Sequence, residues 1–448
     1  MTSIAIVVLD TLRYDAFRDA FDWLDGRWFT AAYSTSHRTI PAHASLLTGR
    51  YASEVGVHGK SPSLDCDRPV LTERLRDAGY RTRMFTGNPE IYRYDGWERG
   101  FDQRVGQASL GLSDDAFDWA SFGYDTDREG PLLYLDALLR VLSGDCATLP
   151  SLREGYRLFT RSRVYGGGDG LRRRVRRTDF GDDDFLLANL MTAHTPYYPP
   201  DSGDPVVVLA ADALTGSVEN PDRVRRAYRA GVEHLSDLYR EVYADLRKSF
   251  DYVVTLSDHG ELLGERGMWN HSLGLDPELV RVPLVVSGDD VEPGVCDEVA
   301  SLLDVHRTVA DLAGVEIESR GRNLLESPAP VARLVEYHGL VPFRDRQFER
   351  RGVPRAERDR WDRPLDGFVA PDGFYGTRPR TDFGRSATSA NRPATSPKAT
   401  PESPSDRNDD WPNWSRPSTG GKSIARTLWS PRTFGTASKT SGTREREL

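Results

Sequence analysis

Cysteine, lysine and long apolar runs are all scarce in this chain, and each scarcity narrows what it can be. The 448 residues include three cysteines, Cys66, Cys146 and Cys296. Their unrelated spacings fit a reducing compartment and exclude a disulfide-built scaffold or a cysteine zinc site. No stretch approaches the roughly 20 consecutive apolar residues that a membrane-spanning helix needs. The first strand-like run begins at Ile4, which leaves no room for a cleavable leader. A cytoplasmic protein with no membrane span is therefore expected. Residues 1–376 hold only two lysines, Lys60 and Lys248, so arginine supplies almost all positive charge there. That stretch carries 46 Lys+Arg against 61 Asp+Glu, a net −15, whereas residues 377–448 carry 13 against 7, a net +6. An acidic body argues against nucleic acid as a general partner. Excess carboxylates with few lysines fit a halophilic protein solvated at high salt, and GC-rich coding explains the arginine bias equally well.

Hydrophobic residues make up 38% of the chain, so the core must be concentrated in a few strands. IAIVVLD (4–10) and DYVVTLSDHGE (251–261) are apolar runs of strand length that end in Asp10 and in Asp258-His259. Continuous apolar runs read as buried parallel strands, and ligands in open α/β sheets sit at the strands' carboxyl ends. Asp10, Asp258 and His259 would then converge. Either aspartate alone is a common strand-end turn residue. The segment STSHRTIPAHASLLTGR (34–50) sets Thr39 ahead of a proline-opened helix. The free N–H groups and positive dipole end of such a helix would hold a sulfate or phosphate group. Thr39 is thus a candidate nucleophile, or simply a helix cap. Two carboxylates, an imidazole and the Thr39 oxygen make a plausible site for one divalent ion, Mn²⁺, Mg²⁺, Ca²⁺ or Zn²⁺. Such an ion would lower the threonine's pKa and neutralise substrate charge.

Eight segments then occur in an informative order: VVLDTLRYD, TIPAHASLLTGRY, AGY at 78–80, RGFD at 99–102, MTAHTPYYPP, TLSDHGELLGERG, HSLGLDPELVRVPLVVSG and DLAGVEIESRGRNLL. From Ile4 to about Leu325 the chain resembles the sulfatase family of the alkaline-phosphatase-like superfamily. That resemblance implies an α/β fold, a doubly wound, mostly parallel sheet flanked by helices. The departures matter as much. Where formylglycine sulfatases carry Cys-x-Pro-Ser-Arg, this chain has Thr39, Ile40, Pro41, Ala42 and His43, and threonine cannot become formylglycine. The first metal strand of the family ends Asp-Asp, but here Thr11 follows Asp10. The family's Gly-Lys-Trp-His-Leu-Gly segment is replaced by FTGNPEI, with Asn88. A threonine nucleophile, one lost carboxylate and an Asp-His pair resemble instead the phosphotransferring relatives, the phosphodiesterases, phosphonate monoester hydrolases and phosphoglycerol transferases, which shifts the expected chemistry from sulfate toward phosphate.

The resemblance also implies roles for further residues. His194, where FLLANLMTA breaks into TPYYPP, would contact the bound anion or leaving group, and His271 in MWNHS would face the substrate. For either, a satisfied core or surface histidine is the plain alternative. Arg13 and Arg50 flank the motifs and could stabilise the equatorial oxygens of the transferring group, or act as ion-pair partners. Asn88 and His43 would complete the substrate-binding set.

In organisation, residues 1–325 read as the catalytic domain. VLTERLRDAGY followed by RTRMF is a helix and strand, and a stripe from Val224 to Leu246 predicts a helix leading into the Asp258 strand. An Arg-rich insertion at 150–180 fits a solvated surface, with an electropositive lid as the sharper alternative. Residues 326–376 would form a small C-terminal substructure. Residues 377–448, rich in Ser, Thr, Pro and Arg, read as a disordered tail or the product of a shifted frame.

The expected function is a metal-dependent hydrolase or transferase of phosphate or sulfate esters, acting through Thr39 on an anionic ester of a glycan, lipid headgroup or small molecule. A non-catalytic protein that binds an anionic glycan or lipid headgroup is the alternative. Nothing in the sequence fixes the oligomeric state.

Overall fold

The computed structural model describes residues 1–106, 117, 131–144, 146–160, 168–197, 205–326, 331–342, 345–373 and 375–380. Its centre is β1 (Ile4–Leu9), every residue of which is buried. The strands that follow are β2 (Arg27–Tyr33), β3 (Arg81–Thr86), β4 (Gln103–Val105), β5 (Asp184–Leu190) and β6 (Tyr252–Leu256). After them come β7 (Leu262–Leu263), β8 (Trp269–Asn270), β9 (Leu284–Gly288) and β10 (Gly294–Ser301). Eight of these form one sheet in the order β10-β2-β9-β6-β1-β5-β3-β4. β1 pairs parallel with β5 (Ile4 opposite Phe185) and with β6 (Ile4 opposite Tyr252). Only β9 runs antiparallel to its neighbours, β2 and β6. This is the mostly parallel α/β sheet expected from the sequence.

A strand's side chains alternate between faces, and here both faces are covered. Ile4, Ile6 and Val8 pack with Leu46, Leu71, Leu75, Val305 and Val309 on one side. Ala5, Val7 and Leu9 pack with Phe17, Leu235, Tyr239 and Val242 on the other. Burying each such aliphatic side chain stabilises the fold by about 1.5–3 kcal/mol. The second cover is the helix Pro221–Leu246, opened by Asn220, whose side chain accepts from Arg223 N–H, and by Pro221 in the first turn. Its buried face includes Val224, Tyr228, Val232, Leu235, Leu238, Val242 and Leu246, the stripe legible in the sequence. Among the described residues no helix is long and apolar enough to cross a membrane.

Within the Arg-rich insertion, the helix Gly168–Arg177 lies against that long helix. Arg172 and Arg176 pair with Glu241, Arg176 also with Asp245 at 2.6 Å, and Arg174 lies over the Phe85 ring. These arginines are docking contacts. Residues 161–167 of the insertion lie outside the described residues.

The C-terminal part of the described chain adds an antiparallel sheet of β11 (Arg333–Tyr337), β12 (Leu365–Val369) and β13 (Tyr375–Pro379). Glu336 N–H donates to the Thr35 carbonyl at 2.8 Å, and Tyr375 stacks on Tyr33. Both contacts tie this sheet to the segment that leads to Thr39. The first residues of the expected tail are structured, since β13 continues to Pro379 and Arg380 donates to Asp366 and Glu336. The remainder of that tail, including the question of its reading frame, lies outside the described residues.

Candidate active site

The parallel arrangement decides where the polar residues meet. β6, β1, β5 and β3 are adjacent and run the same way, so their carboxyl ends share one edge, the usual location of an α/β site. Asp10 follows β1, Asp258 and His259 follow β6, Asn189 is the penultimate residue of β5, and Asn88 follows β3. β2 delivers Ser34–Arg38 and then the helix Thr39–Thr48 to the same edge.

Asp10, Asp258 and His259 are buried, with one ligand atom from each lying within 4.8 Å of the others. Asp10 Oδ2 accepts from Asn88 Nδ2 at 2.8 Å and Asn189 Nδ2 at 3.1 Å. Asp258 Oδ1 accepts from His259 N–H at 3.0 Å and Thr11 N–H at 3.4 Å. Thr11 reaches that position with φ +60°, a costly conformation for a β-branched residue. The other two oxygens, Asp10 Oδ1 and Asp258 Oδ2, are buried without a hydrogen bond among the described residues. They stand 3.9 and 3.6 Å from His259 Nε2. His259 Nδ1 is 3.0 Å from the Gly260 carbonyl, so the ring donates there and keeps a lone pair on Nε2. Uncompensated buried carboxylates cost several kcal/mol each. Two bare oxygens and an imidazole lone pair turned on one point are the donor set of a divalent cation, and these residues fit one.

Thr39 is not the helix cap. The helix starts at Thr39 itself, and its N-cap is Arg38, which makes no side-chain capping bond. Thr39 Oγ1 instead lies 3.3 Å from His259 Nε2 and 3.3 Å from Asn88 Nδ2. The hydroxyl thus faces the cluster from the dipole end of a helix whose ten residues are all buried.

His194 and His271 gather on the same side. The rings of His271 and His259 are centred 4.6 Å apart, and those of His194 and His271 5.0 Å apart. His194 Nδ1 bonds to the Thr195 carbonyl, and burial lowers its pKa despite the opposing charge of Asp10. His271 Nδ1 is 3.1 Å from Glu261 Oε1, and Tyr197 donates to Glu261 Oε2 at 2.7 Å. Glu261 has no solvent exposure. A carboxylate behind an imidazole fixes its tautomer and stabilises its protonated form.

Three expected residues take other positions. Arg13 donates to Asp15, to Glu265 and to the Glu261 carbonyl. Burial opposes its charge, but those carboxylates outweigh the penalty and keep it protonated. Most of its donors are thus occupied, and it lines a groove of about 600 Å³ with Asp15, Tyr228 and Glu265 that excludes Thr39. Arg50 follows the C-cap Gly49 at the opposite end of the Thr39 helix, roughly 15 Å from Thr39 at helical rise, and pairs with Glu318. Neither arginine reaches the site, because local carboxylates hold one and helix length removes the other. His43, one turn along from Thr39, is buried, with Nδ1 3.0 Å from the Thr39 carbonyl and 3.7 Å from Asp258 Oδ2. Burial pulls its pKa down to about 4, so it lies beneath the cluster as a neutral ring.

Glu261, Asn189 and Arg38 carried no expectation from the sequence. Glu261 stands inside DHGE, and Asn189 is a lone amide in the apolar run FLLANL. A polar residue in a fully buried strand was the available signal.

With this geometry in place, comparison with known proteins defines the class. The sulfatase family model matches residues 20–315, and the chain belongs to that family. It is 28% identical over 327 residues to a choline-sulfatase of Rhizobium meliloti (strain 1021), covering 64% of this chain and 60% of that protein. It is 33% identical over 107 residues to the low-salt glycan biosynthesis sulfotransferase Agl7 of Haloferax volcanii, covering 22% of this chain and 26% of that protein. The chain therefore spans less than two thirds of either relative. Among solved structures, a phosphonate monoester hydrolase from Silicibacter pomeroyi superposes with a TM-score of 0.56 at 19% identity, over 85% of this chain and 88% of that one. That likeness is one of fold.

Proposed function

We propose that this protein cleaves or transfers sulfate or phosphate ester groups, with Thr39 as nucleophile and one divalent ion held by Asp10, Asp258 and His259. The observation that carries the reading is the placement of Thr39 Oγ1, 3.3 Å from His259 Nε2 and beside two bare carboxylate oxygens. When bound, the ion would make the Thr39 hydroxyl more acidic and offset charge on the anion. Thr39, its hydroxyl proton passed to solvent water, attacks the central sulfur or phosphorus, its oxygen forming the new bond while the bond to the leaving alcohol breaks. Asn88, which touches both Thr39 and Asp10, orients the anion. His271, backed by Glu261, supplies the proton to the leaving oxygen, and His194 beside it lines the leaving-group side. Water or an acceptor alcohol then releases the group from Thr39.

The two relatives, a choline-sulfatase and a glycan biosynthesis sulfotransferase, support a sulfuryl group as the transferred unit. The threonine supports a direct ester intermediate in place of the aldehyde-hydrate chemistry of formylglycine. Turnover of aryl sulfate, aryl phosphate and aryl phosphodiester, compared side by side with each candidate metal, tests this. Inactivity on all three with every metal overturns it.

A further inference from the structure

We propose that Arg38 forms a second anion subsite beside Thr39, recognising a carboxylate, sulfate or phosphate group on the alcohol half of the ester. The inference rests on the ester-cleaving reading of Thr39 and extends it to the substrate. Arg38 immediately precedes the nucleophile, and its extended backbone (φ −148°, ψ 156°) caps the Thr39 helix without using the side chain. Only 7% of that side chain is exposed. A guanidinium brings five N–H donors, yet among the described residues this one makes no side-chain hydrogen bond. Its nearest carboxylate oxygen, Glu90 Oε1, lies at 3.6 Å, beyond hydrogen-bond length. Arg13 shows the contrast: equally buried, it donates to two carboxylates and a carbonyl.

The position of that open guanidinium is set by Glu90. Glu90 N–H donates to Asn88 Oδ1 at 2.8 Å, and the Asn88 amide reaches Thr39 Oγ1 and Asp10. The Arg38–Glu90 pair therefore rims the Asn88 side of the site. The anion to be transferred is provided for by the metal cluster, Asn88 and the helix terminus, which leaves Arg38 for a different negative charge. A planar fork with unfilled donors matches an oxyanion in two-point contact, and Glu90 is the carboxylate such a group displaces.

The test is equilibrium binding of two non-hydrolysable ligands, phenylphosphonate and 4-carboxyphenylphosphonate, to the metal-loaded protein by calorimetry. We expect the carboxylated ligand to bind at least tenfold tighter to the wild type. That ratio should collapse to within twofold in Arg38→Met, be intermediate in Arg38→Lys, and increase in Glu90→Gln, where the competing carboxylate is gone. A wild-type ratio near one, or a ratio unchanged by Arg38→Met, overturns the subsite. If Arg38→Met does not fold, a ratio that fails to rise in Glu90→Gln overturns it. Selective binding without turnover of any aryl ester overturns the catalytic reading and leaves the subsite standing. Turnover with equal affinities overturns the subsite alone, and no binding of either ligand overturns both.

Discussion

Thr39 Oγ1 and His259 Nε2 lie 3.3 Å apart although 220 positions separate them in the chain. One arrives at a helix start after β2 and the other in the turn after β6. The contact brings the hydroxyl to the imidazole lone pair that, with Asp10 Oδ1 and Asp258 Oδ2, surrounds the candidate cation position. Metal binding and turnover probe this contact, and pH dependence and chain length probe the fold around it.

Bound metal should stabilise the folded protein. A ligand at a hundred times its Kd adds about 2.7 kcal/mol to the folded state, so chelation should lower Tm by several degrees. Asp258→Ala should bind no metal by elemental analysis, lose turnover, and show a Tm indifferent to chelator. Stoichiometric metal in that variant would rule out the site.

Thr39→Ala should reduce turnover by about a thousandfold or more while leaving far-UV circular dichroism unchanged, because Arg38 and not Thr39 occupies the N-cap. Thr39→Ser should retain measurable activity. Acid-quenched wild-type protein should carry the sulfuryl or phosphoryl group on the peptide that contains Thr39. Mass spectrometry reads this directly, and full activity of Thr39→Ala would refute it.

His306 supplies a pH dependence remote from the cluster. It is buried in the helix Leu302–Leu312, and among the described residues neither ring nitrogen has a hydrogen-bond partner. Burial, reinforced by Arg307 and Arg50, lowers its pKa from 6.5 to about 3. The unfolded chain therefore takes up a proton that the folded chain refuses. This contribution is whole above pH 6.5 and is lost as pH falls toward 3, amounting to about 2 kcal/mol by pH 5. Denaturant titrations between pH 7 and pH 5 should show a shallower loss in His306→Leu than in wild type. Parallel slopes would contradict the assignment.

Chain length near the C-terminus should matter over a few residues. Ending the protein after Gly376 removes most of β13 and Arg380, which bonds to Asp366 and Glu336. Its Tm should fall by a few degrees relative to a chain ending at Gly384. Equal melting temperatures would mean that β13 contributes nothing to the fold.

The sequence by itself determined the sheet and which four polar residues meet at its carboxyl edge. β1, β6 and the helix Pro221–Leu246 were legible because burial on both faces demands unbroken apolar runs and a one-sided stripe demands helical spacing. Asp10, Asp258, His259 and Thr39 were legible because each ends or opens such an element, and parallel strands carry their carboxyl ends to one edge. Only the tertiary structure decided what surrounds them. Asn189, Glu261 and Arg38 take their meaning from partners on other strands and helices, at distances no local pattern encodes. Arg13 and Arg50 lie within site motifs yet are turned elsewhere, one by Asp15 and Glu265 and the other by the length of its helix. A side chain's direction is set by the charges and packing it meets after folding, and one sequence window does not contain them.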